Sequence, residues 1–313
     1  MKINVLSYLE ASAARVPDRV CWADAASALT YREAWTAVCD MGAALSERLS
    51  VVNAPVCVLL RHDVTDLLAF FSIVYSGNFY VPIDPALPAV RLRSMLETLK
   101  PAAVMTAGAS IDAELTQDIP VISQQELHTE APAAAPWKQR KDTDLLYVIF
   151  TSGSTGVPKG CMLEYGNITA FCHWFKRYYG IDSESRIAAY ASFGFDACMM
   201  DIYGAITNGA QLHIIPEEIR LDFIGLQRYF EENGITHSFM TTQVGRQFAL
   251  EMDCKSLRYL SVGGEKLVPC EPPKDYKFIN AYGPTEATIF TTVFEVDKYY
   301  PNVPIGKALD NVK

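Results

Sequence analysis

The sequence predicts an α/β protein whose sheets are largely parallel and carry helices on their faces. Short apolar runs alternate with helical patterns along most of the 313 residues. Such alternation is typical of parallel strands that are joined by right-handed helical crossovers. Half of the residues are hydrophobic and a fifth are charged, which excludes a disordered chain. The length predicts two domains or one large layered structure.

Each predicted element follows from its apolar pattern. The predicted strands are Pro55–Leu60, Ala102–Thr106, Leu145–Phe150, Arg186–Ala191, Gln211–Ile215, Thr236–Met240, Arg258–Val262 and Lys277–Ala281. The predicted helices are Val64–Ser76, Arg91–Leu99, Asp201–Thr207, Phe223–Glu232 and Gln243–Glu251. No helix follows Thr288–Val296, so we predict an antiparallel edge strand or a barrel strand there. The Ala- and Pro-rich segment 129–140 is the candidate division between two subdomains.

Charge and cysteine usage narrow the function classes. The 27 basic and 36 acidic residues give a net charge of −9, which argues against a nucleic-acid binder. The first residues show no apolar run followed by a cleavage site, so we expect no secretory signal, and the richest apolar stretch, Leu67–Ile83, is too interrupted for a membrane span. The eight cysteines form no CxxC pair, and the five histidines show no metal-ligand spacing. We therefore expect a cytoplasmic protein without a membrane partner.

The strongest motif is TSGSTGVPKG, which spans Thr151–Gly160 directly after the Leu145–Phe150 strand. We predict a turn whose backbone N–H groups and hydroxyls bind phosphate oxygens, with Lys159 adding a positive charge. It is not the P-loop of kinases and GTPases, because that pattern requires Ser or Thr after the lysine, and Gly160 stands there.

A second motif, NAYGPTE, covers Asn280–Glu286 at the end of another predicted strand. Tyr282 offers a flat face for a purine ring, and open parallel sheets bind ligands at the carboxyl ends of their strands. Glu286 suits Mg²⁺, which takes one or two carboxylates together with phosphate oxygens.

The two motifs together resemble the adenylate-forming superfamily, and most closely the amino-acid adenylation domains of nonribosomal peptide synthetases. Further segments match the family in order along the chain: Leu29–Glu33, Tyr75–Asp84, Phe195–Ile202 and Pro304–Leu309. The resemblance implies stacked, largely parallel sheets with a small β-rich part, a distorted barrel. It also implies that an amino-acid carboxylate attacks the α-phosphate of ATP, giving an aminoacyl-AMP and pyrophosphate.

The resemblance assigns roles to individual residues. Lys159, Thr285 and Glu286 would be catalytic, and Glu286 would carry Mg²⁺. The ATP-binding set would be Thr151, Ser152, Gly153, Ser154, Thr155, Gly156, Lys159, Gly263, Gly264, Asn280, Ala281, Tyr282, Gly283 and Thr285. Within it, the Thr151–Gly160 motif would hold the β- and γ-phosphates. Tyr282 would stack on adenine and Asn280 would hydrogen-bond its exocyclic amine.

The substrate class depends on Asp196. In the family an Asp at this place pairs with the substrate α-ammonium, although an Asp at a strand-to-helix junction is also a common N-cap. The implied substrate-binding set is Phe195, Asp196, Ala197, Met200, Phe239, Ser261, Gly263, Ala281, Ile289 and Phe290. None besides Asp196 is charged, so we predict a neutral, mainly apolar amino acid, because an unpaired buried charge is costly.

The sequence also departs from the family. It stops at Lys313, before the ribose-binding Asp, the hinge and the C-terminal lid with its lysine, and it contains no GGxS carrier motif. We expect residues 1–313 to be the large N-terminal subdomain, monomeric, able to bind amino acid and ATP but adenylating weakly or not at all. In the intact enzyme a carrier protein with a phosphopantetheine arm would be the partner. Alternatives are a D-alanine carrier-protein ligase, a non-catalytic binding module and, weakest, a P-loop kinase.

Overall fold

The computed structural model describes residues 4–128, 135–152, 158–310 and 312. The chain divides into two compact units. The first comprises Met1–Asp18, Leu29–Thr169 and Phe193–Phe195, and the second comprises Arg19–Ala28, Ala170–Ser192 and Asp196–Lys313. The main division therefore falls between Thr169 and Ala170. A further division near residues 129–140 stays a prediction, because residues 129–134 lie outside the described ones.

Helices and strands alternate along the chain, as the apolar pattern predicts. The helices are α1 (Val5–Arg15), α2 (Tyr31–Leu49), α3 (Val64–Tyr75), α4 (Ala89–Leu99), α5 (Tyr165–Tyr179), α6 (Ala197–Ile206), α7 (Phe223–Glu232) and α8 (Thr242–Glu251). The strands are β1 (Val20–Ala23), β2 (Ala28–Thr30), β3 (Pro55–Leu59), β4 (Phe79–Ile83), β5 (Ala103–Thr106), β6 (Val121–Ser123), β7 (Leu145–Ser152), β8 (Pro158–Glu164), β9 (Arg186–Ala189), β10 (Gln211–Ile214), β11 (His237–Thr241), β12 (Tyr259–Gly263), β13 (Lys277–Tyr282), β14 (Thr292–Glu295) and β15 (Lys307–Ala308).

The first unit is built around a sheet of six strands in the order β6-β5-β3-β4-β7-β8. Its strands run parallel except β8, which pairs antiparallel with β7. One face is filled by apolar side chains, among them Val81 and Val104, which pack in one cluster with Leu96 of α4. The strand β4 is buried at every position, which is why its sequence reads as a continuous apolar run.

The early family motif Leu29–Glu33 has a plain structural role in the first unit. The Thr30 hydroxyl accepts a hydrogen bond from the Glu33 backbone N–H, and the Glu33 carboxylate accepts one from the Thr30 N–H at 2.8 Å. This reciprocal pair is a capping box, which satisfies N–H groups that have no partner inside α2. The motif therefore fixes where α2 begins.

The second unit contains eight sheet strands in the order β15-β14-β13-β12-β11-β9-β10-β1. The central strands, from β13 to β1, are parallel. One face packs against α7 and α8 through Met240, Leu260 and Phe278, with Phe230 and Phe248 on the helices. Because side chains alternate along a strand, the neighbouring residues of these strands point to the opposite face.

The predicted strand is antiparallel, but it is not the edge strand of its sheet, because β15 lies outside it. The described strands form no closed barrel. The strand β14 pairs antiparallel with β13, and β15 pairs antiparallel with β14. The predicted strand Thr288–Val296 begins too early, since β14 starts at Thr292. Residues Thr285–Ala287 form a short 3-10 helix, and Thr288 and Ile289 take left-handed backbone angles that a strand does not allow.

Candidate active site

The motif Thr151–Gly160 lies on a β-hairpin of the first unit. The strand β7 continues through Ser152 and β8 begins at Pro158, so a turn over the whole motif is wrong at both ends. Thr151 lies opposite Lys159, and its hydroxyl donates to the Lys159 carbonyl at 3.4 Å. The Lys159 side chain is exposed. Gly153, Ser154, Thr155, Gly156 and the Ser152 side chain lie outside the described residues.

The motif Asn280–Glu286 ends β13 at the carboxyl edge of the second sheet, as predicted. Asn280 is buried, and its amide nitrogen donates to the Pro304 carbonyl at 2.9 Å, which leaves its amide oxygen as the acceptor. The Tyr282 ring is 54% exposed, and the Glu286 carboxylate is exposed one turn further on. The motif therefore presents a fixed amide at Asn280, an exposed ring at Tyr282 and an exposed carboxylate at Glu286 within seven residues.

Gly283 is required by close packing. A Cβ atom at this position would lie 2.2 Å from the Phe290 Cα, a distance that real Cβ atoms essentially never show. The two backbone segments are also joined by a hydrogen bond, which the Thr291 N–H donates to the Tyr282 carbonyl at 2.7 Å. Between these points Ile289 has a φ of +72°, which is costly for a β-branched residue. The segment that carries Thr285 and Glu286 is therefore held in one tight conformation.

Asp196 and Thr285 meet in the second unit, although they stand 89 positions apart in sequence. Asp196 occupies the N-cap position of α6, as the alternative predicts, but its side chain makes no capping hydrogen bond. Its Oδ2 atom instead accepts a hydrogen bond from the Thr285 hydroxyl at 2.5 Å. Burial raises the pKa of the Asp196 carboxyl, and the Thr285 hydrogen bond acts in the opposite direction.

The predicted side-chain pocket maps to the face of the second sheet that points away from α7 and α8. Phe239 and Ser261 are register partners on β11 and β12, and a Cβ added to Gly263 would touch the Phe239 ring and the Ala281 carbonyl. The remaining lining residues are also buried: Met200 on α6, Ile289 and Phe290. Phe290 packs edge-on against Phe171 and Trp174 of α5 at 5.1 and 5.7 Å between ring centroids.

Three predicted residues stand apart from this buried group. Phe195 is 67% exposed and belongs to the first unit, as do Thr151 and Lys159. Ala197 is partly exposed at the start of α6. Gly264 has a φ of +99° and open space where its Cβ would lie, so the backbone there is accessible. The meeting of the Lys159 and Glu286 motifs at one nucleotide stays a prediction.

Sequence reasoning missed two polar side chains beside the pocket. The Tyr179 hydroxyl lies 2.8 Å from the Ser261 hydroxyl, so the end of α5 fixes one lining residue of the pocket. Asp201 is 1% exposed on α6. The sequence does carry a signal for Asp201, since it is the one charged residue within the apolar helix ACMMDIYGAI.

A magnesium site is compatible with this chemistry but rests on one carboxylate. No group of three or more His, Cys, Asp and Glu side chains that could hold a metal occurs in the described part of the chain. That suits Mg²⁺, whose remaining ligands would come from phosphate and water.

Among the helices that the structure describes, none combines the length and apolar character needed to cross a membrane.

Comparison with known proteins gives one consistent family. The family model of the AMP-binding enzymes matches residues 9–313. The chain is 34% identical over 311 residues to bacitracin synthase 1 of Bacillus licheniformis, and 33% identical over 280 residues to surfactin synthase subunit 1 of Bacillus subtilis. These alignments cover 97% and 88% of this chain, but only 6% and 8% of the relatives' lengths.

Solved structures agree on the fold. The nonribosomal peptide synthetase FmoA3 superposes with a TM-score of 0.84 at 22% identity, covering 98% of this chain and 34% of that one. The N-terminal subdomain of NpsA from Klebsiella oxytoca gives 0.83 at 19% identity, covering 98% and 79%. The resemblance predicted from the motifs is confirmed. The chain belongs to the AMP-binding enzyme family.

Proposed function

We propose that this chain binds MgATP and an α-amino acid and serves the formation of an aminoacyl-AMP with release of pyrophosphate. The observation that carries the proposal is the Asp196–Thr285 hydrogen bond. It joins the residue assigned to the substrate ammonium to the nucleotide motif inside one unit. A carboxylate that is partly buried without a cationic partner is a natural site for an ammonium group.

Catalysis in this proposal is positioning together with charge stabilisation. Asp196 holds the ammonium, and Thr285 reaches from the neighbouring loop toward the substrate carboxylate or the α-phosphate. Asn280 and Tyr282 hold adenine, while Lys159 and the hydroxyls of its motif hold the β- and γ-phosphates. Mg²⁺ bound through Glu286 would neutralise phosphate charge. A substrate carboxylate oxygen then bonds to the α-phosphorus as the bond to the pyrophosphate oxygen breaks.

Related structures support the nucleotide part of the proposal. One FmoA3 structure is an AMPPNP-bound form and another is bound to α-methyl-L-serine-AMP. The NpsA subdomain was solved with 3-hydroxybenzoyl-AMSN. This chain superposes on all three, and the shared fold supports the proposal that it binds an acyl-adenylate.

The substrate we propose is a neutral, mainly apolar amino acid. The lining residues Met200, Phe239, Ile289 and Phe290 are all at most 6% exposed, and their side chains carry no charge. In the intact enzyme the aminoacyl group would pass to a carrier protein with a phosphopantetheine arm, and we place the enzyme in the cytoplasm.

The test is ATP–pyrophosphate exchange by the intact enzyme with a panel of the twenty amino acids. The proposal predicts exchange with a small set of aliphatic or aromatic amino acids. Preference for Lys, Arg, Asp or Glu would contradict the assigned pocket. Preference for D-alanine would instead identify a carrier-protein ligase of that substrate, which the bulky Phe239 and Phe290 rings favour as the second candidate by reducing the pocket volume.

The isolated chain gives a second comparison. We propose that residues 1–313 bind both ligands yet show little exchange. Exchange by the isolated chain at the rate of the intact enzyme would contradict this.

A further inference from the structure

A small polar cavity lies beside the predicted pocket, inside the second unit. It has a volume of about 10 Å³. That is space for about one water-sized group. Met200 and Ser261, both assigned to the substrate pocket, line it together with Tyr179, Asp201 and Ser238. The cavity and the predicted substrate pocket thus have two lining residues in common.

One of the lining side chains is buried without a hydrogen-bond partner. The Oδ2 atom of Asp201 is inaccessible to solvent and unpaired among the residues that the structure describes. Leaving such a group unsatisfied costs about 1–3 kcal/mol. Buried polar groups in native proteins are almost always paired, so this atom indicates a missing polar partner.

The charge state of the cavity selects the kind of partner. The one basic side chain in its lining is His237, whose pKa burial lowers to about 4, so it is neutral at neutral pH. Burial likewise raises the pKa of Asp201 well above its usual range, which favours the protonated acid. A neutral carboxylic acid beside the Tyr179 and Ser261 hydroxyls both donates and accepts, and this pattern matches another hydroxyl group.

The position of Asp201 on α6 sets its distance from the start of the helix, where Asp196 is assigned to the substrate ammonium. Ala197 and Asp201 are four residues apart and therefore lie on one face of the helix. The rise of an α-helix separates their backbones by about 6 Å. A substrate whose ammonium is held at the start of α6 would need a side chain of several atoms to reach the cavity.

We propose that this cavity is the polar end of the amino-acid pocket and that Asp201 is a specificity-determining residue for a substrate side chain with a terminal hydroxyl. This inference rests on the proposed function and narrows its substrate class to an apolar side chain that ends in one hydroxyl. A site built to hydrogen-bond a hydroxyl discriminates strongly against the analogue that lacks it, because its own polar groups are then left unpaired.

The test is calorimetric binding of non-hydrolysable aminoacyl sulfamoyl-adenosine mimics to this chain, in matched pairs with and without the hydroxyl. The long pairs are tyrosine with phenylalanine and 5-hydroxynorvaline with norvaline, and the short pair is threonine with valine. We expect at least one long hydroxylated member to bind tenfold or more tightly than its partner. The short pair should differ by less than threefold, because its hydroxyl stops near Ala197.

Substitutions in the cavity test whether its side chains cause the preference for the long hydroxylated mimics. Asp201→Leu should reduce the long-pair ratio to below twofold, whereas Asp201→Asn, which still donates and accepts, should keep most of it. Ser261→Ala removes a hydroxyl from the cavity wall and should lower the ratio without the risk of misfolding that a buried carboxylate-to-leucine change carries. Asp253→Asn, on an exposed residue of the same unit, is the matched control and should leave the ratio unchanged.

The outcomes separate the two proposals. If all six mimics bind but both long pairs differ by less than twofold, the polar-end inference is overturned and the proposed function stands. A long-pair preference that Asp201→Leu and Ser261→Ala leave intact overturns it as well. If no mimic binds, the proposed function itself fails, and the inference fails with it.

Discussion

At the scale of single residues, Asp196 is the side chain on which amino-acid recognition depends. Its carboxylate is partly buried, and within the described part of the chain it pairs with a hydroxyl and not with a cation. Asp196→Asn keeps the shape and the Thr285 contact but removes the charge. We expect the affinity for a bound aminoacyl-adenylate mimic to fall about 30-fold or more, because truncating one partner of a buried charge pair costs about 2–5 kcal/mol.

Calorimetry of ATP alone provides the control for that variant. Affinity for ATP should change by less than threefold, because Asp196 is not assigned to the nucleotide. Equal losses for ATP and for the mimic would show that the substitution disturbs the fold and not the ammonium site.

The raised pKa of Asp196 gives a pH dependence of known sign. Below its pKa the carboxyl is neutral and no longer attracts an ammonium, so affinity for the mimic should fall as the pH is lowered. Thr285→Val removes the hydrogen bond that stabilises the ionised form, and the midpoint of this fall should move to higher pH. Thr285→Ser should keep the wild-type midpoint. A midpoint that is the same in all three proteins would contradict the role of the Thr285 hydroxyl.

Single residues were predictable where the family motif constrains them. Phe239, Ser261, Gly263 and Ala281 were assigned from the motif order, and the structure places them on one face of adjacent strands. Tyr179 was not predictable, because its hydrogen bond to Ser261 depends on how α5 packs over the sheet. Long-range packing of this kind leaves no local pattern.

At the scale of elements, the loop from Gly283 to Phe290 is defined by contact between two backbone segments. Gly283→Ala would force a Cβ against the Phe290 Cα, where no flexible side chain can move away. We expect a loss of about 3 kcal/mol or more in the free energy of unfolding, measured by urea denaturation. Gly180→Ala is the comparison, since Gly180 has a φ of +64° but open space around it and should lose only about 1 kcal/mol. Equal losses would contradict the steric account.

The strand β11 carries a histidine that the fold keeps neutral. The two ring nitrogens of His237 lie 2.7 Å from the Thr236 hydroxyl and 3.1 Å from the Tyr179 carbonyl, and burial lowers its pKa from 6.5 to about 4. In the unfolded chain the imidazole binds a proton at about pH 6.5. His237 therefore contributes stability above that pH, and this contribution is lost as the pH falls toward 4.

The effect of His237 is measured as a difference between proteins. The gap in unfolding free energy between wild type and His237→Gln should shrink by up to about 3 kcal/mol from pH 7 to pH 4. The exposed His128→Gln serves as the control and should show no such change. Taking a difference removes the contributions of His213 and Asp66, whose pKa values are also shifted by burial. A gap that is constant with pH would contradict the buried neutral state.

Elements with strong periodicity were predicted closely, and those set by tertiary structure were not. The helix Phe223–Glu232 was predicted at its observed ends, because Phe223, Leu226 and Phe230 recur at helical spacing. The strand β8 was missed, since Pro158 and Gly160 read as turn residues and Leu163 is the one fully buried residue of the strand. Its partner β7 supplies the hydrogen bonds that define it, and local propensity cannot show that.

At the scale of the whole molecule, the chain combines two sheet-based units, each with one of the two nucleotide motifs. Lys159 belongs to the first unit and Glu286 to the second. The alternation of strands and helices was enough to predict the layered α/β class. The place where the chain divides was not predictable from composition, because the division at Thr169–Ala170 falls inside the continuous helix α5.

The central claim is that one MgATP is bound by both motifs. The most direct measurement is calorimetric titration of MgATP into wild type, Lys159→Ala and Glu286→Ala, with the exposed Lys141→Ala and Glu271→Ala as controls. The account predicts one ATP per chain, affinity at least tenfold weaker in each of the two site variants, and less than a twofold change in the controls. An ATP affinity that neither site variant alters, or no ATP binding by the wild type, would contradict it.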